Sequence, residues 1–157
     1  MTTTQWLLGV HVVGAFLFVS GAVAVGLLHA SAARRERPSE VALLLGLTRW
    51  AVVAVGLGAL AALASGGSLV HRSGFSFGDT WVSASLALWI ASVVLGGIGG
   101  RSARHARYLA QKLAAAGDAP SDDLRLALKS PAGQSLNYAS FLATLAILAL
   151  MAWKPGA

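Results

Sequence analysis

Cysteine is absent from the 157 residues, which removes disulfides, thiolate metal sites and cysteine-held iron–sulfur clusters. Acid is nearly as scarce. The carboxylates are Glu36, Glu40, Asp79, Asp118, Asp122 and Asp123, and all lie between the apolar runs or at their ends. Ion-coupled transporters and proton pumps place carboxylates at membrane depth, so this pattern argues against an autonomous transporter. With no acid to orient a histidine beside a serine, no hydrolase constellation forms either. A phosphate loop is also missing. The run GGIGG at 96–100 has no Lys-Ser or Lys-Thr behind it, and its Gly96 and Gly100 give a GxxxG spacing suited to close helix packing. Charge of either sign is thin at 11% of residues, where soluble domains carry about a quarter.

What is present is apolar. Hydrophobic residues make up 56% of the chain, in several runs near the ~20 residues that a helix needs to cross a bilayer. The expected fold is all-α, an antiparallel four-helix transmembrane bundle forming a single domain over 1–157. Its spans are expected at about 6–29, 41–66, 81–100 and 136–153, with loops at 30–40 and 101–135. The start MTTTQ lacks the basic region of a secretory signal, so the first run is expected to be a retained span. Ser39-Glu40 reads as the cap of the second span, and Gly66-Gly67 as the place where that span ends or loosens. The third helix should leave the membrane as a basic amphipathic stretch ending near Gly117. A short surface helix follows, capped by Ser121 with two acids in its first turn.

Ten of the twelve basic residues fall on one side of this topology: Arg34, Arg35, Arg37, Arg49, Arg101, Arg104, Arg107, Lys112, Arg125 and Lys129. That side is expected to be cytoplasmic and both termini outside, in a bacterial inner membrane. Trp6, Trp81 and Trp153 then all mark the outer interface. The basic residues sit in two loops without interleaved aromatics, so topology explains them and nucleic acid is not an expected partner. The expected partners are the lipid bilayer and either further copies of the chain or the other subunits of a membrane complex.

The histidines are the candidates for chemistry. His11 and His29 are eighteen residues apart, five helical turns, so both lie on one face of the first span, roughly 27 Å apart along its axis. Gly14, Ala15, Phe18, Ala22 and Val25 share that face. A neutral imidazole is a good haem-iron ligand, and an ionisable residue at membrane depth is a functional hypothesis by default. The bland alternative for His11 is a hydrogen bond to a neighbouring carbonyl or serine, with Ser83 and Ser85 near its depth. Counting from the tryptophans puts His71 on the outer side with His11, and His29 level with His105 on the inner side. Two pairs at two levels resemble the layout of membrane b-cytochromes. For His29, His71 and His105 the bland alternative is a polar residue meeting water at a helix end. Arg49 lies inside the second apolar run beside Trp50. It either snorkels to the interface or faces inward to an anionic group such as a haem propionate or a lipid phosphate.

The stretch HVVGAFLFVSG, with His11, Gly14 and Gly21, is similar to the opening helix of HemJ-type protoporphyrinogen oxidases. Asp79-Thr80-Trp81 and the closing Met151-Ala152-Trp153-Lys154-Pro155 resemble an uncharacterised bacterial family of predicted four-helix integral membrane proteins. That family is related in pattern to the HemJ-type enzyme and to the CopD-like copper-resistance domain. The HemJ-type resemblance implies haem b on His11 as the metal ligand. It does not carry catalysis, because the lysine early in the HemJ-type third helix has no counterpart in WVSASLALW, and the chain is not expected to be an enzyme of that kind. The CopD-like resemblance implies copper handling, for which Met151 and four scattered histidines are a poor ligand set. The leading expectation is a b-type haem protein for electron transfer or haem handling, with His11, His71, His29, His105 and Arg49 as cofactor-binding candidates. The alternative is a non-catalytic accessory or packing subunit of a larger membrane complex.

Overall fold

The computed structural model describes residues 2–155. Helix α1 spans Thr3–Ala32, α2 Pro38–Arg72, α3 Thr80–Ala115, α4 Asp122–Leu128 and α5 Pro131–Trp153. The four long helices, α1, α2, α3 and α5, are apolar enough to cross a membrane. At about 1.5 Å per residue, α3 is about 54 Å long, so it reaches well beyond a ~30 Å hydrocarbon core. Large side chains such as Phe16 (70% exposed) and Leu57 (60%) point away from the bundle, as lipid-facing residues must.

Helix α1 packs antiparallel on α2, and α3 on α5; α2 and α3 join the two pairs, while α1 and α5 meet only sparsely. The first interface depends on missing side chains. A Cβ on Gly14 would lie 2.7 Å from the Ala62 nitrogen, and one on Gly21 would lie 3.0 Å from the Ala51 oxygen. Gly58 faces the Phe18 nitrogen and the Gly14 oxygen just as tightly. The glycines of HVVGAFLFVSG therefore set how closely α1 and α2 approach.

Polar groups tie α3 to α5. The Ser92 hydroxyl donates to the Ser140 carbonyl at 3.1 Å, and the Ser140 hydroxyl returns the bond to the Ser92 carbonyl at 2.8 Å. Thr144 Oγ1 lies 2.9 Å from Ser92 Oγ. Ser92 and Thr144 are each 2% exposed and fully partnered, so the network holds the helices without an orphaned hydroxyl.

At the basic end, Leu124 and Leu128 on one face of α4 close over Ala32, Val41, Leu45, Ala106 and Ala110. The four-residue spacing of the two leucines puts both on the buried side, while Leu126 between them is exposed. Asp118, at φ 59°, accepts the Ser39 amide and hydroxyl, both at 2.7 Å. These bonds hold its carboxyl below the usual carboxylate range. They also place a negative charge at the N-terminus of α2, which the helix dipole favours.

Three expected boundaries change. Helix α2 starts at Pro38 with Arg37 as N-cap, ahead of Ser39, because proline is pre-organised for the first helical position. It then runs unbroken through Gly66 and Gly67 to Arg72. Helix α5 begins at Pro131, before the hydrophobic run, with Ser130 accepting the Gly133 amide. The short helix after Ser121 is present, although the Ser121 side chain makes no capping bond.

Candidate functional site

The end of the bundle where α1 begins and α5 ends brings three helices to one imidazole. His11 is on the third turn of α1, reaches across to α2, and touches α5. Its Nδ1 lies 2.9 Å from the Ala62 carbonyl oxygen and 3.4 Å from Ser65 Oγ. The Ser65 hydroxyl donates to the Ala61 carbonyl, so toward His11 its oxygen can only accept. Two acceptors around Nδ1 require the ring proton there. An imidazole protonated at Nδ1 alone has its lone pair on Nε2.

Nε2 points at a second Lewis base, the Met151 thioether, with Sδ 3.4 Å away. Between a neutral imidazole in this tautomer and a thioether there is no hydrogen to share. The arrangement can accept a proton or a metal ion. An Nδ1–H held by a backbone carbonyl is the usual support of a metal-binding histidine, because it fixes both tautomer and ring orientation.

Gly66 explains why α2 does not stop at its glycine pair. A Cβ at Gly66 would lie 3.0 Å from His11 Cε1 and 3.2 Å from Nδ1. The glycine clears the flat face on which the imidazole rests, so in this helix it is a packing residue, not a terminator.

The same end holds a charged and aromatic roof. Lys154 adopts a left-handed conformation that caps α5, and places its ammonium 5.5 Å from the Phe75 ring centroid and 5.8 Å from that of Trp81. Phe75 meets Trp81 edge-on at 5.2 Å. Trp81 is only 7% exposed, yet its indole N–H has no partner among the described residues. The buried Trp89 indole N–H is likewise without a partner among the described residues, so an open indole donor is not peculiar to this end.

The other candidates are more dispersed. His71 is exposed on the last turn of α2 and is not among the partners of His11. His29 is half-buried, with Nε2 3.2 Å from the Leu128 carbonyl, so it ties α1 to the end of α4. His105 is exposed on α3. Arg49 is exposed too, its guanidinium 5.6 Å from the Trp50 ring. The serines that hold His11 company were expected on the third span; the residues found are Ala62 and Ser65 of α2. Met151 was not expected beside His11. Its only sequence signal is depth, since it lies just inside Trp153 as His11 lies just inside Trp6.

A family model described as a predicted integral membrane protein (DUF2269) matches residues 5–155, nearly the whole described chain. No curated protein and no solved structure matches it.

Proposed function

The chain belongs to the DUF2269 family of predicted integral membrane proteins, and from that premise we propose that it binds b-type haem through His11, for electron transfer or haem handling. The observation that carries this reading is the imidazole at the terminal end, with Nδ1–H fixed on Ala62 and the Nε2 lone pair turned toward another Lewis base. The donor chemistry there suits the group, while the space does not as the helices stand: Nε2 and Met151 Sδ are 3.4 Å apart, and α1 and α5 must separate to admit a porphyrin. His11 offers iron a nitrogen lone pair, the unpartnered Trp81 N–H suits an anionic carboxylate, and Lys154 brings a positive charge to the same end. Bound haem would supply one-electron chemistry. The protein's part is to hold the ring through Ala62 and Ser65, to leave room for it at Gly66, and to keep water away with apolar helices. The orientation proposed with it is the one that the basic residues favour, with His11 near the outer face and the α4 end in the cytoplasm of a bacterial cell.

The test is a visible spectrum of the detergent-purified protein, oxidised and dithionite-reduced, beside His11→Ala. Sharp reduced b-type bands that disappear in the variant are expected. A colourless wild type, produced with ample haem, would sink the reading.

A second reading, a non-catalytic subunit of a larger membrane complex, draws on glycines that serve no interface inside the chain. Gly9, Gly26, Gly46, Gly56 and Gly97 have open space where a Cβ would be. Outward glycines let another helix approach closely. Co-purification of one partner at fixed stoichiometry from native membranes would favour it.

A further inference from the structure

We infer that the exposed face of α3 carrying Arg101 and Arg104 binds the phosphate of an anionic phospholipid, in the leaflet at the α4 end of the bundle. This surface is remote from His11 and does not depend on the haem reading. Trp81 opens the span at the opposite end, and Arg101 follows it by twenty residues, about 30 Å of helix and one hydrocarbon thickness. The two arginines therefore stand where the headgroups begin. Helix α2 gives the same depth independently. Its Val41 and Leu45 share a buried cluster with Ala106 and Ala110 of α3. One turn nearer the membrane than Leu45 is Arg49, and one turn nearer than Ala106 is Ser102, so Arg49 lies at the level of Arg101. The exposed Trp50 beside it is an aromatic of the kind that marks an interface at that depth.

The guanidinia at this level have no acid to meet. Among the described residues, the ion pairs are Arg35 with Glu40 and Arg125 with Asp122, while Asp118 is taken by Ser39. Glu40 comes nine residues before Arg49 on α2, more than two turns farther from the membrane. The arrangement of α3 then points to a lipid. Ile90, Val94, Gly97, Arg101, Arg104 and Tyr108 follow one another in steps of four and three residues, so they line one side of the helix, and all six are exposed. In order they are apolar, free of a side chain, cationic and aromatic, which matches acyl chain, glycerol and phosphate along a phospholipid. A Cβ at Gly97 would meet nothing, and one at Gly100 would lie 3.7 Å from Arg104 Nη1. The Arg104 fork thus reaches back along α3 toward the hydrocarbon, over a glycine. Arginine's planar donors pair with phosphate oxygens two at a time. Orientation in a membrane depends on the number of cations near a span; it does not ask that they share a face with cleared space before them.

The experiment titrates the delipidated, full-length protein in neutral detergent micelles with phosphatidylglycerol or phosphatidylcholine, and counts bound lipids by native mass spectrometry. Wild type should hold phosphatidylglycerol in preference to phosphatidylcholine, and added salt should weaken that preference. Arg101→Gln combined with Arg104→Gln should lower the phosphatidylglycerol affinity roughly 30-fold, about fivefold for each cation lost, with unchanged helix content. Arg34→Gln combined with Lys129→Gln removes the same charge from the same end but not from this face, and should leave the preference nearly as it is in wild type. Equal losses in the two pairs, or no loss in the first, would overturn the assignment. So would displacement of the bound lipid by inorganic phosphate alone, which would make the site one for a free anion.

Discussion

Replacing Gly58 by alanine tests the packing that brings His11 to its place. The new Cβ would collide with the Phe18 nitrogen and the Gly14 oxygen, and lie 3.0 Å from the Leu17 carbonyl carbon. All three are backbone atoms, so no side chain can swing aside and α1 must move off α2. Overpacking of this kind costs roughly 1–3 kcal/mol. Alanine also recovers about 1 kcal/mol of helix propensity lost at glycine, which masks part of the effect. Gly56→Ala is the matched control, two residues away in the same helix with open space at its Cβ. It gains the propensity without the collision, so the difference between the two variants isolates the steric term. Reversible unfolding in mixed micelles, followed by far-UV circular dichroism, should place Gly58→Ala below Gly56→Ala by roughly 1–3 kcal/mol. Equal stabilities would refute the claim that glycine contacts set the α1–α2 distance.

Three further outcomes follow from the same geometry. Gly66→Leu should displace the imidazole while α2 stays helical, abolishing the His11-dependent spectrum with unchanged circular dichroism; a wild-type spectrum would show that the ring does not need that space. Ser92→Ala should weaken the α3–α5 pair by about 1 kcal/mol in the same unfolding assay, the upper range for hydrogen bonds between membrane helices, and no change would mean that the hydroxyl network is dispensable. Asp118→Ala should destabilise the protein near neutral pH. Because the carboxyl titrates below its usual range in the folded protein, its contribution is present above the ordinary carboxylate range and is lost as pH falls through the folded value. Wild type and variant should therefore converge in acid; a gap that persists there would assign the effect to packing instead.

The spans were legible because hydropathy and length leave few alternatives, and the pairing of tryptophans with histidines correctly placed His11 just inside one end. What was not legible depends on contacts made across the chain. Ser39 reads locally as a cap, but its amide and hydroxyl are bound by Asp118, seventy-nine residues later. Gly66 reads locally as a break, but it is the flat surface under an imidazole fifty-five residues earlier. Pairing His11 with His71 follows from depth alone; depth does not say which neighbour a side chain meets, and the neighbour at Nε2 is Met151. The bland alternative and the functional one for His11 turn out to share a geometry. The carbonyl bond that would satisfy a structural histidine is also the bond that aims a ligand.

Haem content per chain separates them. A pyridine haemochrome assay on the purified, full-length protein, produced with added haem precursor, should give about one haem per chain for wild type. His11→Ala, with unaltered helix content, should give almost none. Wild-type protein that is well folded and free of haem would contradict the account and leave His11 as a hydrogen-bonded contact between α1, α2 and α5.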